Sequence, residues 1–154
     1  MSTIKEAFVR ICSLLNKFEV DFIVIGGLAV VYHGFPRTTA DADFWYKPTT
    51  ENFNKIIKAF EAFGVDTTEL NRLVFDPKKS FLRIPSLGIR AEFLPEIPGL
   101  NSFDEARSRA SRLDLDGISV HVLSYDDLLK NKATVGRPKD IQDIEELKKR
   151  KERK

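Results

Sequence analysis

One cysteine, Cys12, in 154 residues excludes an internal disulfide and a cysteine-rich zinc site. It stands in the apolar run from Val9 to Leu15, where a small buried hydrophobe is expected rather than a reactive thiol. The two histidines, His33 and His121, have no companion at metal-ligand spacing, so both read as packing or surface residues. No stretch approaches the ~20 apolar residues that a membrane span requires. Lys5, Glu6 and Arg10 break up the apolar run that a signal peptide would need, so the expected location is the cytoplasm, away from membranes. Charge of one sign is also missing. Lys plus Arg number 25 against 23 Asp plus Glu, a net +2, so any anion-binding surface must be local. Repeats, linkers and low-complexity segments are absent too, which suggests one domain over 1–147 followed by a basic tail, 148–154, that is solvated or touches nucleic acid.

What the chain does have is an apolar share of 42%, with 12 Phe, ample for a buried core. Apolar residues at Ile4, Phe8, Ile11, Cys12, Leu15 and Phe18 follow a three-and-four spacing, which predicts a helix capped by Ser2 or Thr3. Val20 to Ile25 reads as a strand buried on both faces, Leu28 to His33 as a short helix, and Gly34-Phe35-Pro36 as a turn. A strand over Thr39 to Tyr46 and a helix up to Gly64 follow. Leu73-Val74-Phe75 is a weak strand candidate before the turn Asp76-Pro77-Lys78-Lys79. Phe81 to Ile84 can pair with an alternating strand, Gly88 to Leu94. Phe103 to Ala110 suggests a helix, and Ser111 to Val122 around Asp116-Gly117 an edge hairpin. Two helices close the chain, one from Ser124 and one from Pro138 or Lys139 through Leu147, fraying beyond. The interleaving predicts an α/β (α+β) unit with a small mixed sheet flanked by helices.

The chemistry concentrates between Ile23 and Phe44. Gly26-Gly27 separates a strand from a helix, where missing β-carbons let backbone amides approach a phosphate. Asp41 and Asp43, one residue apart on a strand, project from the same face. Like charges held that close call for a cation, and oxygen ligation suits Mg2+ or Mn2+. Glu92 adds a third carboxylate if its strand lies alongside, enough for two ions about 3.5–4 Å apart.

Gly26-Gly27, then Arg37, Thr39 and Asp41-Ala42-Asp43-Phe44, resemble the signature of the nucleotidyltransferase superfamily, which includes DNA polymerase beta, kanamycin nucleotidyltransferase and the minimal nucleotidyltransferases. Tyr125 to Leu129, Lys132 and Gly136 to Ile144 resemble the closing helices of its small members, among them the toxins of type IV toxin–antitoxin modules. The resemblance implies that Asp41, Asp43 and Glu92 are catalytic and bind metal. It also implies that Gly26, Gly27, Arg37, Thr39 and Lys132 bind the nucleotide. The implied substrate is an NTP, with transfer of a nucleoside monophosphate to a hydroxyl on RNA, protein or a small molecule. Two departures stand out: Gly27 where many members carry serine, and Glu92 where aspartate is more usual. A partner protein or homodimer would complete the acceptor cleft.

Plainer readings compete with these. Glu92 can pair with a neighbouring arginine, Arg37 and Arg137 can anchor loops through Asp140 or Asp143, and the aspartate pair can be surface carboxylates. The alternative to an enzyme is a catalytically degenerate relative that binds nucleotide or a partner.

Overall fold

The computed structural model describes residues 3–39, 41–84 and 89–152. A mixed sheet of six strands organises them: β1 (Phe22–Ile25), β2 (Asp41–Tyr46), β3 (Leu82–Ile84), β4 (Arg90–Leu94), β5 (Ser111–Leu115) and β6 (Ile118–Val122). Their order is β3-β4-β2-β1-β6-β5. Neighbours β2 and β4 run parallel, as do β1 and β6, while β1/β2, β3/β4 and β5/β6 are antiparallel. Six helices surround the sheet: α1 (Ile4–Lys17), α2 (Gly26–Tyr32), α3 (Thr50–Ala62), α4 (Phe103–Arg109), α5 (Tyr125–Val135) and α6 (Pro138–Glu152). The expected mixed α/β architecture is what the chain adopts.

Local signals explain the helix starts. Thr3, Thr49, Ser102 and Ser124 each accept a hydrogen bond from the backbone N–H three residues on, supplying one of the donors' missing partners at a helix N-terminus. Strand alternation then assigns the faces. Ala42, Phe44, Ala91 and Phe93 are fully buried beneath α1 and α3, with Phe8 stacked on Phe44 at 5.9 Å and Phe60 edge-on to Phe93 at 5.3 Å. Truncating a ring such as Phe44 to alanine costs about 3–5 kcal/mol. Asp41, Asp43 and Trp45 take the opposite face, where Trp45 meets Phe103 of α4.

Two expectations change. Leu73-Val74-Phe75 is not a strand: it follows a 3-10 turn, Val74 is 92% exposed, and Phe75 turns onto Phe53 and Tyr46 instead of pairing. The expected edge hairpin is found at the end of the sheet, with β5 outermost and β6, through the buried Val120 and Val122, set inward against β1. The last helix does not fray at Leu147. Leu147 is fully buried, and Arg150 and Lys151 lie over the rings of Phe35 and Tyr125, so the helix continues to Glu152. Arg153 and Lys154 of the expected tail fall outside the described residues, as does Gly88, at the start of the expected fourth strand. Among the described residues no helix is long and apolar enough to cross a membrane.

Candidate active site

Parallel pairing of β2 with β4 sets Asp43 directly opposite Glu92 and Asp41 opposite Arg90. The same face of neighbouring strands therefore carries all three expected carboxylates. Antiparallel pairing next door puts Arg83 of β3 opposite Glu92. A cleft of about 310 Å³ opens over them, and its lining includes Gly26, Asp41, Asp43, Glu92 and Lys132.

The glycine pair is built into the first turn of α2, and its role is close packing. Gly26 has φ +67°, and a β-carbon there would stand 2.3 Å from the Asp43 Oδ2 atom. No other residue accepts both that backbone and that contact. At Gly27 a β-carbon would meet the Thr39 hydroxyl at 3.1 Å. A side chain at Gly27 would thus press on Thr39, whose hydroxyl bonds with the backbone of Asp41 and fixes the start of β2.

Burial, then the nearby Glu92 and Asp41 carboxylates, push Asp43 up to about 6; Glu92 is also its hydrogen-bond partner. The cluster holds more negative charge than its surroundings balance. Two arginines partly offset it: Arg83 Nη2 lies 3.0 Å from Glu92 Oε1, and Arg90 Nε lies 3.7 Å from Asp41 Oδ1. Glu92 therefore adopts the arginine pairing weighed against metal ligation. Among the described residues no three His, Cys, Asp or Glu side chains converge as a finished metal cage. The donor set still fits a hard divalent cation: all oxygens, on one face, with Asp43 raised by its two neighbours. Turning Asp41 and Glu92 away from two exposed arginines would complete it.

The cationic residues expected at the nucleotide divide differently. Arg37 does not line the carboxylate cleft; its Nη1 donates to both oxygens of Asp143 at 2.6 Å. Lys132 does line it, yet its Nζ sits 3.2 Å from Asp140 and 2.9 Å from Asp143, and all three side chains are nearly inaccessible. Arg137 pairs with Asp140 at 2.7 Å, the loop-anchoring role weighed for it. Burial acts to raise Asp140, but its bonds from Arg137 and Lys132 prevail and hold it at about 2. Sequence reasoning passes over three participants. Arg83 and Arg90 face the carboxylates, and Asn131 donates to the Pro98 carbonyl at 2.9 Å, fixing the cleft wall. The alternation of Arg90 with Glu92 is a usable signal for one of them; the others depend on tertiary pairing. His33 bonds the Leu123 carbonyl at 2.7 Å, and Cys12 is buried with its thiol pushed far up, so neither joins the site.

A sequence-family model described as nucleotidyltransferase of unknown function (DUF6036) matches residues 3–152. The chain belongs to that nucleotidyltransferase family. A crystal structure of a candidate nucleotidyltransferase from Thermotoga maritima is similar to it, with a TM-score of 0.61 and 19% identity over 96% of this chain and 91% of the other. That likeness shows the nucleotidyltransferase fold. No curated protein matches the sequence significantly.

Proposed function

We propose that the chain moves a nucleoside monophosphate from an NTP to a hydroxyl acceptor, with Asp41, Asp43 and Glu92 as the catalytic carboxylates. The observation carrying this reading is the register of β2 and β4, which sets Asp43 against Glu92 at the floor of a cleft, with Gly26 pressed onto Asp43. Asp41, Asp43 and Glu92 would hold Mg2+ or Mn2+, which lowers the pKa of the attacking hydroxyl and offsets charge on the departing pyrophosphate. The acceptor oxygen bonds to the α-phosphorus as the bond to the bridging oxygen of the β-phosphate breaks. Asp43 and Glu92, side by side, orient the reacting groups. Arg137, exposed in the lining of the same cleft, would offer a guanidinium to the triphosphate, while Lys132 holds Asp140 and Asp143 beside it. Arg37 and Thr39 act from behind, through Asp143 and the Asp41 backbone. Such a chain would work as one unit, in the cytoplasm, and could serve as one component of a toxin–antitoxin pair, modifying RNA or protein.

The test supplies each labelled NTP with Mg2+ or Mn2+ and total RNA or protein extract, comparing the wild type with Asp41→Asn/Asp43→Asn. Metal-dependent label transfer by the wild type alone is expected. Absence of both transfer and NTP binding would sink the reading. One observation favours a second possibility: Arg83 and Arg90 already neutralise two of the carboxylates. A degenerate relative that binds nucleotide without turnover would show NTP binding in the wild type and no transfer to any acceptor.

A further inference from the structure

The carboxylate cluster lies between two cationic banks that are committed in different ways. On the α5–α6 side, Lys132 is bound to Asp140 and Asp143, themselves only 1–2% exposed, so that buried cation has permanent partners, and Arg137 adds its charge to Asp140 from the surface. On the β3–β4 side, Arg83 and Arg90 are bound to Glu92 and Asp41, the groups that the reading above assigns to cations. The side chains of these arginines are 53% and 55% exposed. Exposed pairs of this kind contribute about 0–1 kcal/mol each, so little is lost when either is exchanged for another partner.

We propose that Arg83 and Arg90 are the docking points for a phosphate group on the acceptor, released from Glu92 and Asp41 when those carboxylates take up their cation. The proposal rests on the function given above and names the acceptor's chemistry. A freed guanidinium remains a planar fork of donors suited to two phosphate oxygens. Arg83 keeps its place without Glu92, because its Cζ lies 5.5 Å from the centre of the Phe81 ring beneath it. Register supplies the spacing. Arg83 is opposite Glu92, which is opposite Asp43, so two strand intervals, about 10 Å, separate the phosphate position from the innermost carboxylate. A nucleotide with its hydroxyl at the carboxylates and its phosphate at the arginines fits that span. Among the described residues β3 is the last strand of the sheet on this side.

The experiment frees the arginines without metal. Fluorescence anisotropy in EDTA would follow an eight-nucleotide labelled RNA and, by competition, a nucleoside 5′-monophosphate. Four proteins are compared: wild type, Asp41→Asn/Glu92→Gln, Arg83→Gln/Arg90→Gln and the fourfold variant. Neutralising the carboxylates should tighten binding about tenfold. The gain should vanish in the arginine-free background, with the slope of log K against log salt for the RNA reduced by about 1.4 for the two lost phosphate contacts. A gain confined to the RNA supports the proposal with a polynucleotide acceptor; a gain for the monophosphate supports it with a small phosphorylated one. A gain that survives removal of both arginines reflects relieved repulsion alone and overturns the proposal, as does no gain for either ligand. Calorimetry of NTP with Mg2+ separates the two claims. NTP binding kept by Arg83→Gln/Arg90→Gln and lost by Asp43→Asn leaves the function standing if docking fails, whereas no NTP binding by the wild type fails the function itself.

Discussion

Two clusters of charge meet at one cleft, and they are built on opposite terms. The inner one joins Arg37, Lys132 and Arg137 to Asp140 and Asp143, so the loop after α2 and the helices α5 and α6 are tied by bonds of 2.6–3.2 Å around a lysine and two carboxylates that water hardly reaches. The outer one sets three carboxylates on β2 and β4 against two arginines that are more than half exposed. In the inner cluster each ion has its counter-ion, and burial makes the pairs inseparable. In the outer cluster the surplus of negative charge is retained, and the pairing is loose. The contrast separates a clamp that holds the cleft's shape from a surface kept available for a cation.

Breaking the clamp should give the largest effect. Lys132→Met leaves Asp140 and Asp143 buried with less countercharge, and a loss of about 3–5 kcal/mol is expected in urea unfolding. If Lys132 served only the nucleotide, the variant would unfold at the wild-type midpoint. In Arg37→Met the Asp143 carboxylate keeps Lys132, so a smaller loss is expected.

The outer cluster predicts a change of opposite sign. Asp43 rises from an ordinary 3.8 to about 6, so the folded chain binds a proton more readily there than the unfolded chain. Stability from this group is complete below about pH 4 and is lost as pH rises through 6. At about 1.4 kcal/mol per unit, Asp43→Asn should stabilise the metal-free protein at pH 7 by up to about 3 kcal/mol, with little gain at pH 4, while abolishing transfer. Asp140, held at about 2, does the reverse: its contribution is present above pH 4 and fades as the pH falls toward 2. Thermal unfolding across pH 2–8 in EDTA separates them. An Asp43→Asn difference that is flat with pH would refute the strained-carboxylate account.

Gly26→Ala comes next, with about 1–3 kcal/mol of destabilisation from a left-handed backbone and a displaced Asp43. Gly27→Ala has an ordinary backbone and needs Thr39 to yield by only a few tenths of an ångström, so a smaller loss is expected. Equal losses in the two would remove the reason for placing Asp43 against Gly26.

These positions also show how much of the molecule is legible in the chain itself. Period-two alternation through Asp41-Ala42-Asp43-Phe44 sets the aspartates on one face and the core residues on the other, because a strand allows no other arrangement. Helix caps at Thr3, Thr49 and Ser124 are readable from the same local chemistry. The pairing of Arg37 with Asp143 is among the plainer readings of the sequence, but the partners of Lys132 depend on how α6 folds back across α5, a contact that spacing does not encode. The departure at Gly27 is readable in the sequence, but the tight approach of Thr39, twelve residues on, is not. Arg83 stays hidden because its strand is three residues long and its significance comes only from facing Glu92.

The smallest predicted effect is the most discriminating. Arg83→Gln removes an ion pair with a half-exposed guanidinium, and such pairs contribute less than about 1 kcal/mol. Its unfolding midpoint in EDTA should therefore stay close to the wild type, in contrast to Lys132→Met. Cation affinity should respond nonetheless, since Mn2+ no longer has to displace Arg83 from Glu92. A severalfold tighter Mn2+ affinity by calorimetry, with unchanged stability, would mark the outer pair as a displaceable counter-ion. A large loss of stability would mean that Arg83 clamps Glu92 as Lys132 clamps Asp143, and the two clusters would then be one structural network.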